Sequence, residues 1–333
     1  MLQVGYVGSQ SYHTPLSINA NTAAPLVCQD AQGCVSGGTT TGGTPVPVSQ
    51  RGLVPKGTLY MAPGTRPNQY VGNGVTWFDT GTSSYNALTV SLVKRLTHGL
   101  TFKTNYTYGK VIDLNSAILA PSAGNEPPDV FSPYNLRLNR GVASYSLAHQ
   151  FNGNFNYQLP FGNGQRFGSG ASGVVDKLIG GWQWNGIVNV QGGFPFTPLA
   201  GSNTSGTGDA NQSDTPNWNP NFKGPVILGK PDQWFDPRAF VLPTQGTFGN
   251  VSRGSLRGPG LFSLDTSLFK KIRISEGLNL QFRAETFNVL NHPNFSYPNE
   301  VVFTGNNYSS SGGVITNTAT TSRQIQFALK LLF

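Results

Sequence analysis

The sequence is poor in charge, and this shortage excludes several classes of protein. Only 11% of its 333 residues are charged, against about 25% in a typical soluble domain. No apolar run reaches the roughly 18 residues that a transmembrane helix needs. The start, "MLQVGYVGSQ", shows no signal peptide, which taken alone would predict a cytoplasmic protein. The low charge argues against a helical soluble enzyme, and the aromatic content of 11% argues against disorder.

The positive net charge does not indicate a nucleic-acid partner. The formal net charge is +8, but the 22 Lys and Arg residues are scattered along the chain. No basic run of about five or more residues appears, as would be expected of a nucleic-acid patch. We therefore predict no nucleic-acid binding.

The residues that usually carry catalysis or bind metals are also scarce. The 4 histidines are dispersed without metal-ligand spacing, and no convincing catalytic set is present. A Ca²⁺ site in the loop 203–214, using Asp209, Asn211 and Asp214, is a weak hypothesis because the EF-hand spacing is missing. We predict neither an enzyme nor a resident cofactor.

The only two cysteines, Cys28 and Cys34, lie in the polar segment "CQDAQGC". A short-loop disulfide formed in an oxidising compartment is one interpretation of this pair. Two free thiols are the alternative.

What the sequence does contain is a repeated alternation of apolar and polar residues, typical of β-strands. In 145–159 one side carries mainly Tyr, Leu and Phe, and the other carries mainly Asn and Gln. Eight such runs predict eight strands: 2–9, 86–94, 100–112, 145–159, 181–191, 262–274, 278–290 and 323–333. In the seventh run the alternation blurs after Phe287, which suggests a bulge.

The connections between these runs alternate in length. The gaps 95–99, 160–180 and 275–277 are short or intermediate, whereas 9–85, 113–144, 192–261 and 291–322 are long and rich in Gly, Pro, Asn, Ser and Thr. Short turns on one side and long loops on the other indicate an antiparallel meander. The runs of about 9–15 residues are long enough for tilted strands to cross a bilayer.

Alternation alone fits either a soluble β-sandwich or an outer-membrane barrel. Strand length, a polar side made of Asn, Gln, Ser and Thr, and aromatic residues near strand ends favour the barrel. Lys270 is the exception, because it falls in phase with apolar Leu268 and Ile272. Its side chain must reach away from the apolar side, or the register must shift there.

Three segments carry a resemblance to a known family. These are 83–110, "GGWQWNGIVNVQGGFPFT" (180–197), and 234–295, which begins "WFDPRAFVLPTQGTFGNVSRGSLRGPG". They resemble the C-terminal barrel of TonB-dependent outer-membrane receptors, in particular the Oar-like group. The resemblance implies a Gram-negative outer-membrane protein with short periplasmic turns and long extracellular loops.

In that family a barrel of 22 strands encloses an N-terminal plug, and a short box before the plug contacts TonB. The resemblance therefore implies that residues 1–333 are the C-terminal part of such a barrel, about eight strands, without plug domain or TonB box. A truncated gene model would explain the missing signal peptide. The implied partners are outer-membrane lipid, the barrel-assembly machinery, TonB through the absent N-terminal region, and an oligosaccharide, siderophore or peptide ligand.

The last strand resembles the signal by which the barrel-assembly machinery recognises its substrates. Its alternating apolar residues end on an aromatic C-terminus: Ile325, Phe327, Leu329, Leu331 and Phe333. The resemblance implies that this strand is both wall and insertion signal.

Two further groups are candidates for contacts. Charges predicted on the lumen side face either the plug or one another: Lys271, Arg273, Arg283 and Glu285. Aromatic residues in loop 192–261 either contact a ligand or pack the loop on itself: Trp218, Phe222, Trp234 and Phe235.

The favoured function is a TonB-dependent receptor or transporter. A small self-contained barrel or surface adhesin, and a soluble β-sandwich hydrolase, are the alternatives.

Overall fold

The computed structural model describes residues 1–117, 130–209 and 213–333. Its main element is an antiparallel sheet of eight long strands that follow one another in chain order. We name them β1 (Leu2–Asn19), β2 (Val75–Thr97), β3 (Leu100–Asp113), β4 (His149–Gln158), β5 (Trp182–Gln191), β6 (Leu261–Ser275), β7 (Leu278–Phe287) and β8 (Gln324–Leu332). All eight predicted strands are confirmed, as is the meander.

The connections have the predicted alternation. β2 and β3 join through His98 and Gly99, and β6 and β7 through Glu276 and Gly277. His98, Gly99 and Gly277 have positive φ, which these tight hairpin turns require. The intermediate turn between β4 and β5 contains one helix, α1 (Gly173–Ile179). The four long connections all lie at the opposite ends of the strands.

Several predicted boundaries were wrong. The interval 9–85 is not all loop, because β1 continues to Asn19 and β2 begins at Val75. This extension contains register shifts near His13, which has positive φ, so its sequence lacks a clean alternation. β4 begins at His149 rather than at 145, since Ser146 lies in a turn. β7 ends at Phe287, followed by Asn288 with positive φ rather than a bulged strand.

The sheet is open in the described residues. β1 and β8 lie at opposite edges and do not pair with each other. No helix in this part of the chain is long and apolar enough to cross a membrane.

The long connections contain short strands and single turns of 3₁₀ helix. The strands are Leu26–Val27, Cys34–Ser36, Gly52–Val54, Leu59–Tyr60, Gly141–Val142, Pro195–Phe196, Asn217–Trp218, Ile227–Lys230, Gln233–Phe235, Phe240–Val241, Leu256–Arg257, Phe303–Thr304 and Asn307–Tyr308. The 3₁₀ turns are Val48–Gln50, Leu136–Asn139 and Pro237–Ala239. The largest buried hydrophobic cluster lies among these loops, not on the sheet.

Candidate functional site

The register of the strands gathers the apolar residues on one side of the sheet, which we call the apolar face. One row of paired residues crosses six strands: Val4, Val90, Tyr106, Phe151, Val190 and Phe262. Large apolar side chains on this face are exposed, with Phe327 and Leu329 each 71% accessible. This is the reverse of a soluble protein, in which such residues are covered.

Glycines on the apolar face make room for neighbouring aromatic rings. Gly186 pairs with Phe155 across β5 and β4, and a side chain at Gly186 would collide with that ring. The Phe155 ring also contacts Trp184 edge-on, with ring centroids 4.7 Å apart. Phe155 of β4 thus packs over Gly186 and against Trp184, both of β5, and stabilises the pairing of the two strands.

The opposite side, which we call the polar face, carries the four predicted charges. Arg283 donates to the Gln281 side-chain oxygen from Nε (3.1 Å) and Nη2 (2.8 Å), and its guanidinium lies 4.9 Å from the Phe269 ring centroid. Glu285 accepts from Gln326 at 2.5 Å. Arg283 and Glu285 form no ion pair with each other in the described residues.

Lys271 and Arg273 lie near the short-turn end of the sheet. Together with Gln158 and Gln183 they line an open cavity of about 640 Å³ beside the β4–β5 turn. The predicted charges therefore share one face but are spread along it.

The strand pairing continues without a register shift at Lys270. Its amine is directed toward the β4–β5 turn, at the end of the sheet. Lys270 pairs with Trp182, and its Nζ donates to the carbonyl oxygens of Leu178 (3.2 Å) and Gly180. The side chain is only 4% exposed. Of the two predicted possibilities, the structure shows a side chain that reaches away from the apolar face and no register shift.

The long loops fold into a unit with its own core, which we call the loop cap; it comprises the described residues of 20–74, 192–260 and 288–323. Phe196, Phe235, Phe240 and Val302 are almost completely buried in it. Hydrogen bonds join its loops, including Ser36 to Gln245 (2.6 Å) and Arg66 to Gly208 (2.8 Å).

The four predicted loop aromatics lie in or against this core. Phe235 is fully buried, with its ring centroid 5.8 Å from that of Phe196, and Trp218 stacks on Phe240 at 5.0 Å. Trp234 donates its indole N–H to Arg257 at 2.7 Å, and Phe222 packs against the cluster. This arrangement favours packing of the loop on itself, and Phe235 offers no surface to a ligand.

Sequence reasoning missed a buried ion pair between Arg253 of the loop cap and Asp113 at the end of β3. Arg253 also donates to the carbonyl of Asn139 (2.6 Å) and to Ser116 (3.3 Å). The partners are 140 residues apart, and neither lies in a recognisable motif. The pair fixes the loop cap to the sheet.

Asp214 is a second buried charge of the loop cap. Its carboxylate accepts the backbone N–H of Ser205 at 2.6 Å. Burial raises the pKa of the Asp214 carboxyl to about 6, against the opposing effect of the hydrogen bonds from Ser205 and Thr204.

The weak Ca²⁺ hypothesis gains no support. Asp209 accepts a hydrogen bond from Asn73 at 2.7 Å, and Asn211 lies outside the described residues. Within the described ranges, no three His, Cys, Asp or Glu residues are grouped as for a metal ion.

Cys28 and Cys34 are joined in a disulfide, with Cα atoms 5.7 Å apart. Cys28 is buried against Val54 and Tyr60, in a small cluster of the β1–β2 loop. The bond closes the turn that contains "QDAQG".

The C-terminal strand displays its apolar residues to the outside. Ile325, Phe327, Leu329 and Leu331 all belong to the apolar face and are all more than half exposed. Phe333 lies just beyond the end of β8 and is fully exposed. This geometry leaves the signal-like residues accessible.

The comparisons agree with this architecture. A family model described as outer membrane beta barrel domain matches residues 1–326. No curated protein and no solved structure matches the chain. A match over nearly the whole length, together with the all-β fold, places this protein in the outer membrane. The chain belongs to the outer membrane beta barrel domain family.

Proposed function

We propose that this chain forms part of the wall and the extracellular loops of a TonB-dependent receptor that binds and takes up a ligand. The main support for the proposal is that the sheet is open and that its polar face can contact water. β1 and β8 lie at opposite edges, and the polar face of β4 and β5 carries mainly Asn and Gln, such as Asn152, Asn154 and Asn185.

A closed barrel of eight strands has an interior just wide enough to be filled by its own side chains. Rows of Asn and Gln suit a wider, water-filled lumen. We therefore infer that the sheet belongs to a larger barrel, for which the resemblance indicates 22 strands. The apolar face, with exposed Phe327 and Leu329, then contacts lipid, and the polar face contacts the lumen.

The charges of the polar face are proposed to hold the plug. Arg283 and Glu285 are bonded to neutral Gln281 and Gln326 rather than to each other, so neither forms an ion pair in the described residues that would compete with a plug contact. Contact with TonB itself would run through the N-terminal region that the resemblance indicates. Barrel insertion would use the exposed Phe333 and the apolar residues of β8.

The loop cap is the proposed ligand-binding region. Its core aromatics are committed to packing, whereas Tyr70 (90% exposed) and Tyr308 (46%) present rings to solvent. Exposed rings of this kind can stack on the ligand classes indicated above, an oligosaccharide, a siderophore or a peptide.

The uptake function is tested by disrupting this gene and, in parallel, the TonB gene of the same host. Growth is compared on iron-limited medium, on oligosaccharides and on peptides as the sole source of the nutrient. We expect one growth defect that both strains share. A mutant that grows normally wherever the TonB-deficient strain fails would contradict the proposal.

The wide barrel is tested separately, by the distance between spin labels at Val4→Cys and Leu329→Cys in natural outer membranes. The chain offers no free cysteine in its described residues to interfere. In a 22-stranded barrel the two strands lie roughly 35 Å apart, whereas in a closed eight-stranded barrel they are neighbours at about 5 Å. The short distance would support the self-contained barrel or adhesin instead.

A further inference from the structure

The helix of the β4–β5 turn, α1, exposes its apolar side, which a soluble protein would bury. Val174, Val175 and Leu178 of α1 are 72%, 56% and 66% exposed, and Ile179 is 36% exposed. At helical spacing these four residues share one side, and Asp176 and Lys177 occupy the other. An apolar stripe of this kind normally faces a core. Here Ile179 packs next to Gly168, whereas Val174, Val175 and Leu178 stay mostly exposed in the described residues.

On the polar side of α1, Asp176 is bonded to the protein and Lys177 is exposed. The Asp176 carboxylate accepts the backbone N–H of Asn163 at 2.6 Å. Asp176 and Lys177 both line the cavity that also contains Lys271 and Arg273. The hydrogen bond to Asp176 therefore holds α1 with most of its apolar stripe turned away from the protein.

The end of α1 is attached to the apolar face of the sheet. The Leu178 carbonyl accepts from the Trp182 indole N–H (3.0 Å) and from the Lys270 amine (3.2 Å). The Lys270 amine lies 5.1 Å from the Trp182 ring centroid and also binds the Gly180 carbonyl. A cation at the C-terminus of a helix is favourable. Since Trp182 and Lys270 belong to the apolar face, α1 lies at the short-turn margin of that face.

Two aromatic residues of the same turn extend the apolar surface. Phe161 and Phe167 are 42% and 50% exposed, with ring centroids 5.6 Å apart. The Arg166 guanidinium lies 5.5 Å from the Phe167 ring centroid. Aromatic rings with a nearby cation are typical of residues that lie at the level of lipid headgroups.

We propose that α1, with Phe161 and Phe167, is an interfacial anchor that inserts its apolar side among the acyl chains of inner-leaflet phospholipid. The occupant is lipid because the surface continues the apolar face of an outer-membrane protein at its periplasmic end. Lys270 and Trp182 sit at the junction of the two surfaces. Interfacial helices bury their apolar side about 5–10 Å into the boundary between headgroups and acyl chains. The proposal rests on the outer-membrane location and not on TonB-dependent uptake.

The test places an environment-sensitive fluorophore on Leu178→Cys, with Lys177→Cys as the matched control on the opposite side of the helix. The full chain is reconstituted at less than one copy per vesicle in phosphatidylcholine–phosphatidylglycerol vesicles that contain spin-labelled lipid as quencher. We expect a blue-shifted emission and severalfold stronger quenching at position 178 than at position 177. Equal, water-like emission and quenching at both positions would overturn the proposal.

A second variant distinguishes loss of lipid contact from misfolding and from a protein partner that covers α1. Leu178→Asp leaves the Leu178 backbone carbonyl, and hence its bonds to Trp182 and Lys270, in place. A fluorophore at Val174→Cys in this background should lose most of its quenching while the barrel keeps its resistance to unfolding in detergent. If position 174 is shielded from water only in natural membranes and never quenched by lipid in pure vesicles, a protein partner covers α1 and the lipid proposal is wrong.

Discussion

The sheet and the loop cap of this protein bury their apolar residues in opposite ways. On the sheet, Phe327 and Leu329 point outward and are each 71% exposed. In the loop cap, Phe235 and Phe240 are fully buried. We attribute these opposite positions to two different solvents: lipid on one side of the sheet and water around the loop cap.

The two regions are therefore stabilised by different interactions. The sheet depends on its backbone ladder and on lipid, which adapts to the shape of the wall. The loop cap depends on close packing and on buried polar contacts, which do not adapt. Substitutions of the same type should thus have different consequences in the two regions.

The sharpest contrast is expected between Phe235→Ala and Phe327→Ala. The first leaves a cavity in the core of the loop cap and should cost about 3–5 kcal/mol of local stability. The second loses only the transfer of a side chain to lipid, about 1.5–3 kcal/mol, since acyl chains fill the space. Hydrogen exchange of the loop-cap peptides and urea unfolding of the barrel measure the two values. Equal costs would remove the distinction between the regions.

The two ion pairs found in the described residues, Arg253–Asp113 and Arg238–Asp236, offer a second contrast. Arg253→Ala leaves Asp113 buried without its partner and should lower the free energy of unfolding of the loop cap by about 3–5 kcal/mol. Arg238→Ala removes an arginine whose side chain is 74% accessible from the buried Asp236 carboxylate, which is 4% accessible. The backbone N–H of residue 238 still donates to that carboxylate, so the loss should be smaller. Limited proteolysis of the loops, compared with the wild-type chain, reads out both variants. Comparable cleavage of the two would contradict the role of Arg253 as the attachment of the loop cap.

Asp214 predicts a pH dependence that the sheet should not share. Its pKa is raised by burial to about 6 in the folded loop cap, against 3.8 for an ordinary carboxyl. Between these values the folded state holds a proton that the unfolded state has released, so stability falls as the pH rises. The expected loss is about 3 kcal/mol between pH of about 4 and about 6. Hydrogen exchange of the loop cap over this pH range measures it.

The control is Asp214→Asn, which keeps an acceptor for the Ser205 N–H and does not ionise. It should abolish this part of the pH dependence and leave the loop cap at least as stable at neutral pH. An unchanged profile in the variant would show that another group titrates.

The most local effect is expected at the disulfide. Cys28→Ser opens a ring closed by residues six apart in sequence, and the loop-entropy estimate for so short a ring is about 2 kcal/mol. The effect should remain within the β1–β2 loop. Protease sensitivity of residues 20–74 should rise, while unfolding of the barrel stays at the wild-type midpoint. A shifted midpoint would mean that this loop is coupled to the wall.

The strands of the sheet could be predicted from the sequence because a sheet with one apolar and one polar face needs a strict two-residue alternation. That pattern located all eight strands and placed Phe155, Trp184 and Leu329 on one face. It failed at 10–19 and 75–85, where the β1–β2 ribbon continues without clean alternation around the irregular His13.

The loop cap could not be predicted for a related reason. Its strands are two to four residues long, too short to show a period, and its core joins Phe196, Phe240 and Val302 from distant parts of the chain. The Arg253–Asp113 pair likewise depends on tertiary contact alone. Only the aromatic residues of 192–261 indicated in the sequence that this loop could form a hydrophobic core.

The length of the β1–β2 ribbon has a mechanical consequence. β2 contains 23 residues, which at about 3.3 Å each and a tilt near 40° span roughly 60 Å along the bilayer normal, twice the hydrocarbon thickness of about 30 Å. The distal half of the ribbon therefore extends beyond the hydrocarbon layer at one edge of the sheet. The loop that joins the two strands, residues 20–74, is therefore held away from the hydrocarbon layer.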